Sequence, residues 1–224
     1  MSAKPQLLIF DVNETLLNME PVKVAITKAL KSPFAFKQWF SWLLHYSLVD
    51  TVTQSYHTFS EIGQATLKMT AASLNTSIDE EEITHIVQLM QQLEPYPEVV
   101  KALDILQQAG YRMATLTNST AEALQKQLAF AEIASYFERN LSIDGLNVYK
   151  PHPETYQAAL KELNTAPADS MLIAAHGWDV AGALHAGLQA AFVEREGQAL
   201  YPLSPPPHLI GKDLLTIAQD LAEL

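Results

Sequence analysis

Polar residues at the ends of apolar runs carry the chemistry in this chain. FDVNETLL (10–17) sets Asp11, Asn13, Glu14 and Thr15 directly after the apolar run QLLI. Three further clusters follow the same pattern: Thr117-Asn118-Ser119 after YRMATL, Lys150 in VYKPHPETY, and His176 with Asp179 in AAHGWD. Taken singly, each has a plainer reading. Asp11 could close a turn, Thr117 and Asn118 could cap the next helix, and Asp179 could cap DVAGALHAGL. Lys150 could be a solvated lysine, and His176 a hydrogen-bonded core histidine. Taken together, two carboxylates, a hydroxyl–amide pair and a lysine suit covalent catalysis. An aspartate can be the nucleophile, and a lysine beside it keeps it ionised and steadies an anionic substrate.

The elements between these clusters place them on one edge. QLLIFDV, YRMATLTNS, SMLIAAHGW and AAFVER read as strands. PEVVKALDILQQAG, TAEALQKQLAFAEIASYF, HPETYQAALKELN, DVAGALHAGL and HLIGKDLLTIAQDLAEL read as helices, with Gly110 as a stop and Thr120 as an N-cap. Apolar strands alternating with helices predict an α/β fold: a parallel sheet covered on both faces. Residues 19–94 break the rhythm with helical patterns alone, and Pro95 and Pro97 mark a stiff return to the core. The expected division is a core of 1–18 and 95–224 and an all-helical cap of 19–94, inserted after the first strand. A cap there covers the strand ends where open α/β sheets bind ligands. The proline-rich YPLSPPPH (201–208) is expected to be a loop before the last helix.

Composition excludes several classes. The chain has 224 residues, 48% hydrophobic, enough for a substantial core. A formal charge of -11 without a basic run argues against nucleic acid as a partner. With no cysteine there is no disulfide, thiolate metal site or cysteine nucleophile. No apolar run is long enough for a membrane span, and MSAKPQLLIF is too briefly apolar for a signal peptide, so a soluble cytoplasmic protein is expected.

The ordered motifs FDVNETL, LTNS, YKP and WDVAGA resemble those of the haloacid dehalogenase superfamily across nearly the whole chain. YKPHPETYQAAL, HGWD with Trp178 structural at the site, and KQWFSWL in the cap resemble its type II L-2-haloacid dehalogenase branch. The resemblance implies a Rossmann-like core and a homodimer. It implies that Asp11 displaces halide from a short 2-haloacid to give an ester, which water then cleaves to the 2-hydroxy acid. Lys150 would orient Asp11, and Asp179 would hold Lys150 or the water. Val12, Thr117 and Asn118 would meet substrate or halide, and Thr15 would tie down the turn. Apart from the resemblance, Trp39, Phe40, Trp42 and Tyr46 are expected to line the apolar face of the cap, a stripe more often core packing than a substrate wall; where part of it shapes the pocket, a tight aromatic pocket would favour short substrates.

Most superfamily members are magnesium-dependent phosphatases, and a phosphatase acting on a small phosphate ester is the alternative. Such enzymes need an acid two residues after the nucleophile, where this chain has Asn13, and a further acidic metal ligand, where it has Ala175. A halide leaving group needs neither, so no metal and no cofactor is expected. The chain also departs from the dehalogenases. Glu14 stands for a usual glycine, His176 for an asparagine, Ala174 and Ala175 for two serines, and His45 for the cap arginine that receives halide. His176 is expected to activate the water, with Glu14 orienting and charging it.

Overall fold

The computed structural model describes residues 4–224. Six parallel strands form one sheet in the order β3-β2-β1-β4-β5-β6: β1 (Leu7–Phe10), β2 (Arg112–Thr117), β3 (Arg139–Ser142), β4 (Ser170–Ala174), β5 (Gln189–Val193) and β6 (Leu209–Gly211). All four side chains of β1 are fully buried, as a central strand covered on both faces requires. The direction of travel reverses across β1: the chain reaches β2 and β3 on one side, then crosses to β4 on the other. Right-handed crossovers then put helices on both faces, where α5 (Val99–Gln108) packs beside α9 (Leu214–Ala222), and α7 (Pro153–Glu162) beside α8 (Gly177–His185). This reversal opens a crevice at the C-terminal ends of β1 and β4.

Between β1 and α5 the chain forms only helices: α1 (Glu20–Leu30), α2 (Ala35–Thr53), α3 (Phe59–Ser73) and α4 (Glu80–Leu89). Side-chain caps start two of them: Thr58 and Glu61 form a capping box on α3, and Asp79 caps α4. The outgoing and returning chains run side by side. Asn18 N–H donates to the Glu94 carbonyl and Tyr96 N–H to the Leu16 carbonyl. Tyr56 donates to Asp144 at 2.8 Å, and Tyr149 donates to the His57 carbonyl, so the far end of α2 is also tied to the core.

Two sequence expectations need correction. HLIGKDLLTIAQDLAEL is not one helix: Leu209–Gly211 pair with β5, and α9 starts only after Asp213, whose carboxylate accepts from Thr216 N–H at 2.7 Å. The helix begun at Thr120 stops at Phe130, where Glu132 takes a φ of 56°, and β3 follows unforeseen. RNLS is short, polar and at the sheet edge, so it carries no apolar signal. Among the described residues no helix is long and apolar enough to cross a membrane.

Candidate active site

The C-terminal ends of β1, β2 and β4 and the loop before α7 converge on one buried cluster. Lys150, 1% exposed, is its hub: Nζ donates to Asp11 Oδ1 at 2.9 Å, to Asp179 Oδ2 at 2.6 Å and to the Leu116 carbonyl at 2.9 Å. Its three N–H groups thus have three acceptors. Asn118 fixes its backbone, accepting the Lys150 N–H at 2.9 Å. Thr15 donates to Asp11 Oδ2 at 2.8 Å and accepts the Ala175 N–H at 2.9 Å, binding the β1 turn to the end of β4.

His176 completes the cluster. Nδ1 lies 3.2 Å from Asp11 Oδ2 and Nε2 lies 2.9 Å from Glu14 Oε2. It is the residue that starts α8, and Asp179 falls in the first turn rather than at the cap. That turn aims Asp179 inward, where Tyr156 donates to its Oδ1 at 2.5 Å. The contact requires Gly182: a Cβ there would lie 2.5 Å from the Tyr156 hydroxyl.

Burial and charge oppose each other throughout. Burial raises the Asp11 carboxyl, but Lys150 and His176 outweigh it and hold Asp11 well below the usual carboxylate range. Burial disfavours the Lys150 ammonium, but Asp11 and Asp179 raise it above its ordinary value. Asp179 is pushed up, by burial first and by the charge of Asp11. For His176, burial again opposes the charge, yet the hydrogen bonds and charges of Asp11 and Glu14 lift it to about 9. These shifts favour an ionised Asp11 beside an imidazolium at neutral pH.

Other expected site residues lie elsewhere or are turned away. Asn13 donates to Ser119 Oγ at 3.3 Å and accepts from Gln127 at 3.0 Å, away from the Asp11 carboxylate. The Thr117 hydroxyl accepts the Ser119 N–H at 3.2 Å. The Val12 side chain is in the core and its carbonyl accepts from Leu16 and Leu17, so a ligand could meet only its N–H. Among the described residues no group of three or more His, Asp or Glu is arranged to hold a metal ion.

Above His176 a cleft of about 550 Å³ opens between α1, α2 and the loop at 196–198. Phe36, Phe40 and Leu44 of α2 line it, together with Tyr96 and Trp178. Of the expected aromatic face only Phe40 lines the cleft: Trp39 is buried, its indole N–H donating to the Gly63 carbonyl at 2.9 Å, and Trp42 and Tyr46 lie outside the lining, so the cleft is roomier than the expected tight pocket. His45 is not in the cleft: it is exposed, its ring against Tyr46. The α2 cation lining the cleft is Lys37, two helical turns earlier, and Lys23 of α1 lines it too.

Sequence reasoning also missed Tyr156, Arg195 and Gln198. Gln198 donates to Glu14 Oε2 at 3.0 Å, and Arg195 donates to the Thr15 carbonyl at 2.8 Å. The signal was available: EREGQ is a fifth polar cluster after a strand, and Tyr156 is the one aromatic in the helix that follows Lys150.

Comparison with known proteins bears on the fold and the family. An (S)-2-haloacid dehalogenase from Xanthobacter autotrophicus is 28% identical over 85% of this chain and 76% of its own. Haloacetate dehalogenase H-2 from Moraxella sp. (strain B) is 27% identical over 91% of this chain and 92% of its own. The solved structure of the Xanthobacter autotrophicus L-2-haloacid dehalogenase with chloropropionic acid covalently bound superposes with a TM-score of 0.88 at 23% identity, covering 96% of this chain and 97% of that one. A sequence model of the haloacid dehalogenase-like hydrolases matches residues 5–187, and the chain belongs to that family.

Proposed function

We propose that the protein hydrolyses short (S)-2-haloacids to (R)-2-hydroxy acids and halide, without a metal. The observation that carries this reading is the Lys150 ammonium bridging Asp11 and Asp179 while Asn13 turns its amide away. The cation between the carboxylates is a side chain, and the position a phosphatase fills with a proton donor holds an amide already engaged. The names of the relatives from Xanthobacter autotrophicus and Moraxella support the substrate class.

In the first step an Asp11 oxygen attacks C2 in line, the carbon–halogen pair leaves as halide, and an ester forms. The ester is neutral, so His176 loses one of the two anions that hold its proton, and releases that proton to solvent. In the second step His176 takes a proton from water, whose oxygen attacks the ester carbonyl. The ester C–O bond breaks, and the alkoxide recovers the proton from His176. Asp11 emerges as an acid and passes its proton to His176, restoring the resting pair. The C2 centre is displaced once, so its configuration inverts once. Glu14 orients and charges the base, Lys150 and Asp179 hold Asp11, and Thr117, Asn118 and the Val12 N–H bind substrate or halide.

We further propose that residues 19–94 act as a cap, closing the site against water. We also propose a homodimer, supported by Leu48 and Val52, which α2 leaves 40% and 81% exposed, and a cytoplasmic location. The deciding assay is halide release from L- and D-2-chloropropionate and the monohaloacetates, with and without a chelator. Chelator-insensitive release from the L form supports the reading. Magnesium-stimulated hydrolysis of an aryl phosphate, with no halide from any haloacid, would replace it with a phosphatase.

A further inference from the structure

The two ring nitrogens of His176 face carboxylates, and two aromatic rings stack against the imidazole. Trp178, two residues along, stacks on it with centroids 5.2 Å apart and an interplanar angle of 23°. Phe40, from cap helix α2, stacks at 5.7 Å and 27°. Phe36 continues the column, 5.9 Å from Phe40 at 11°. A row of rings thus runs from the cap through His176 to Trp178, with Lys150 Nζ 5.8 Å from the Trp178 ring.

We propose that Phe40 is a positioning residue: delivered by the cap, its ring holds the His176 imidazole in the plane of Asp11 and Glu14 and stabilises its cationic form. This rests on His176 being the base of the second step. A cation within about 6 Å of an aromatic face is drawn to its negative quadrupole, more strongly when water is excluded. His176 is 3% exposed, so these faces replace its hydration.

The clamp matters most after alkylation. In the free enzyme hydrogen bonds at both nitrogens already fix the ring. Once Asp11 is an ester the pull at Nδ1 weakens, and Glu14 alone would let the ring pivot about its Cβ–Cγ bond. The rings stacked on the imidazole hinder that rotation and keep the base aimed. The groups that also act on His176 are Asp11 and Glu14 directly, and Glu20, Lys23, Lys37 and Glu196 around the same cleft. Lys150 lies over Trp178, and Arg195 reaches the Thr15 turn from outside. None of these is altered by changing the electrons of the Phe40 ring.

That isolates the test. Phenylalanines with one to three ring fluorines, introduced at position 40 of the full chain, keep the shape and burial while draining the ring face. The His176 titration, read by imidazole nitrogen NMR, should fall stepwise by about half to one pH unit in total. A titration independent of fluorination would overturn the stacking. In rapid-quench experiments, Phe40→Leu should slow ester cleavage about tenfold and by more than it slows the halide burst; a second step slowed no more than the first would overturn the positioning role. The underlying reading fails separately. Full turnover by His176→Asn would remove the base, and with it the catalytic role of Phe40, even if fluorination still moved the titration.

Discussion

Glu14 carries its carboxylate to 2.9 Å from His176 Nε2 on a left-handed backbone, with φ at 60°. A non-glycine residue there costs about 1–2 kcal/mol, and such strain persists where a side chain is needed. Glu14→Gly and Glu14→Ala should both slow ester cleavage at least tenfold. The glycine variant should be the more stable by about 1 kcal/mol, since alanine keeps the strain without the carboxylate. Denaturant melts with single-turnover kinetics check both parts; equal rates for wild type and variants would leave Glu14 without a catalytic part.

His176→Asn should keep the first step and lose the second. The variant lacks a base but retains Asp11 held by Lys150 and Thr15. One equivalent of halide should appear per site, and intact-mass analysis should find the acid esterified on Asp11. Continuous halide release would show that another group activates the water.

The sign of the His176 shift fixes a dependence of stability on pH. Its value rises from 6.5 to about 9 in the folded protein. The charged form therefore stabilises the fold fully below about 6.5, and that contribution fades as pH climbs through 9. The amount is of order 3 kcal/mol. Thermal melts from pH 6 to 10 should show this loss in the wild type and not in His176→Asn.

Much of the site was legible because parallel strands deliver their C-terminal residues to one edge. Asp11, Thr117, Lys150 and Asp179 were readable from apolar runs that end in polar residues. The Glu14–His176 contact was readable because two departures from one pattern fell at adjacent strand ends. What failed is what periodicity does not encode. β3 is a polar edge strand, held by pairing with β2 rather than by its own burial. His45 was aligned through a helix that is apolar all round, so composition could not say which face meets the cleft. Tyr156 and Gln198 reach the site through helix and loop packing across long sequence separations.

Tyr156 supports the site from below. Tyr156→Phe removes the donor to Asp179 Oδ1 and leaves a buried carboxylate oxygen unpaired. The expected cost is about 1–3 kcal/mol of stability. With Lys150 still bridging both carboxylates, halide release should fall less than in Lys150→Ala. A denaturant melt unchanged by the substitution would contradict the contact.

Lys37 should set how the anionic substrate is captured. The buried site holds three carboxylates, Asp11, Asp179 and Glu14, against Lys150 and the His176 imidazolium, so an incoming carboxylate meets excess negative charge. Lys23 at the rim is occupied by Glu20 at 2.9 Å. Lys37 lines the same cleft and has no ion-pair partner among the described residues. A half-solvated attraction of about 1 kcal/mol corresponds to roughly fivefold in affinity. Lys37→Ala should therefore raise KM for a 2-haloacid several-fold with kcat nearly kept, and the difference from wild type should shrink as salt is added. His45→Ala, on the exposed face of α2, should change neither constant. The opposite pattern, a KM sensitive to His45 and indifferent to Lys37, would mean that α2 presents a different face to the substrate when the cap closes.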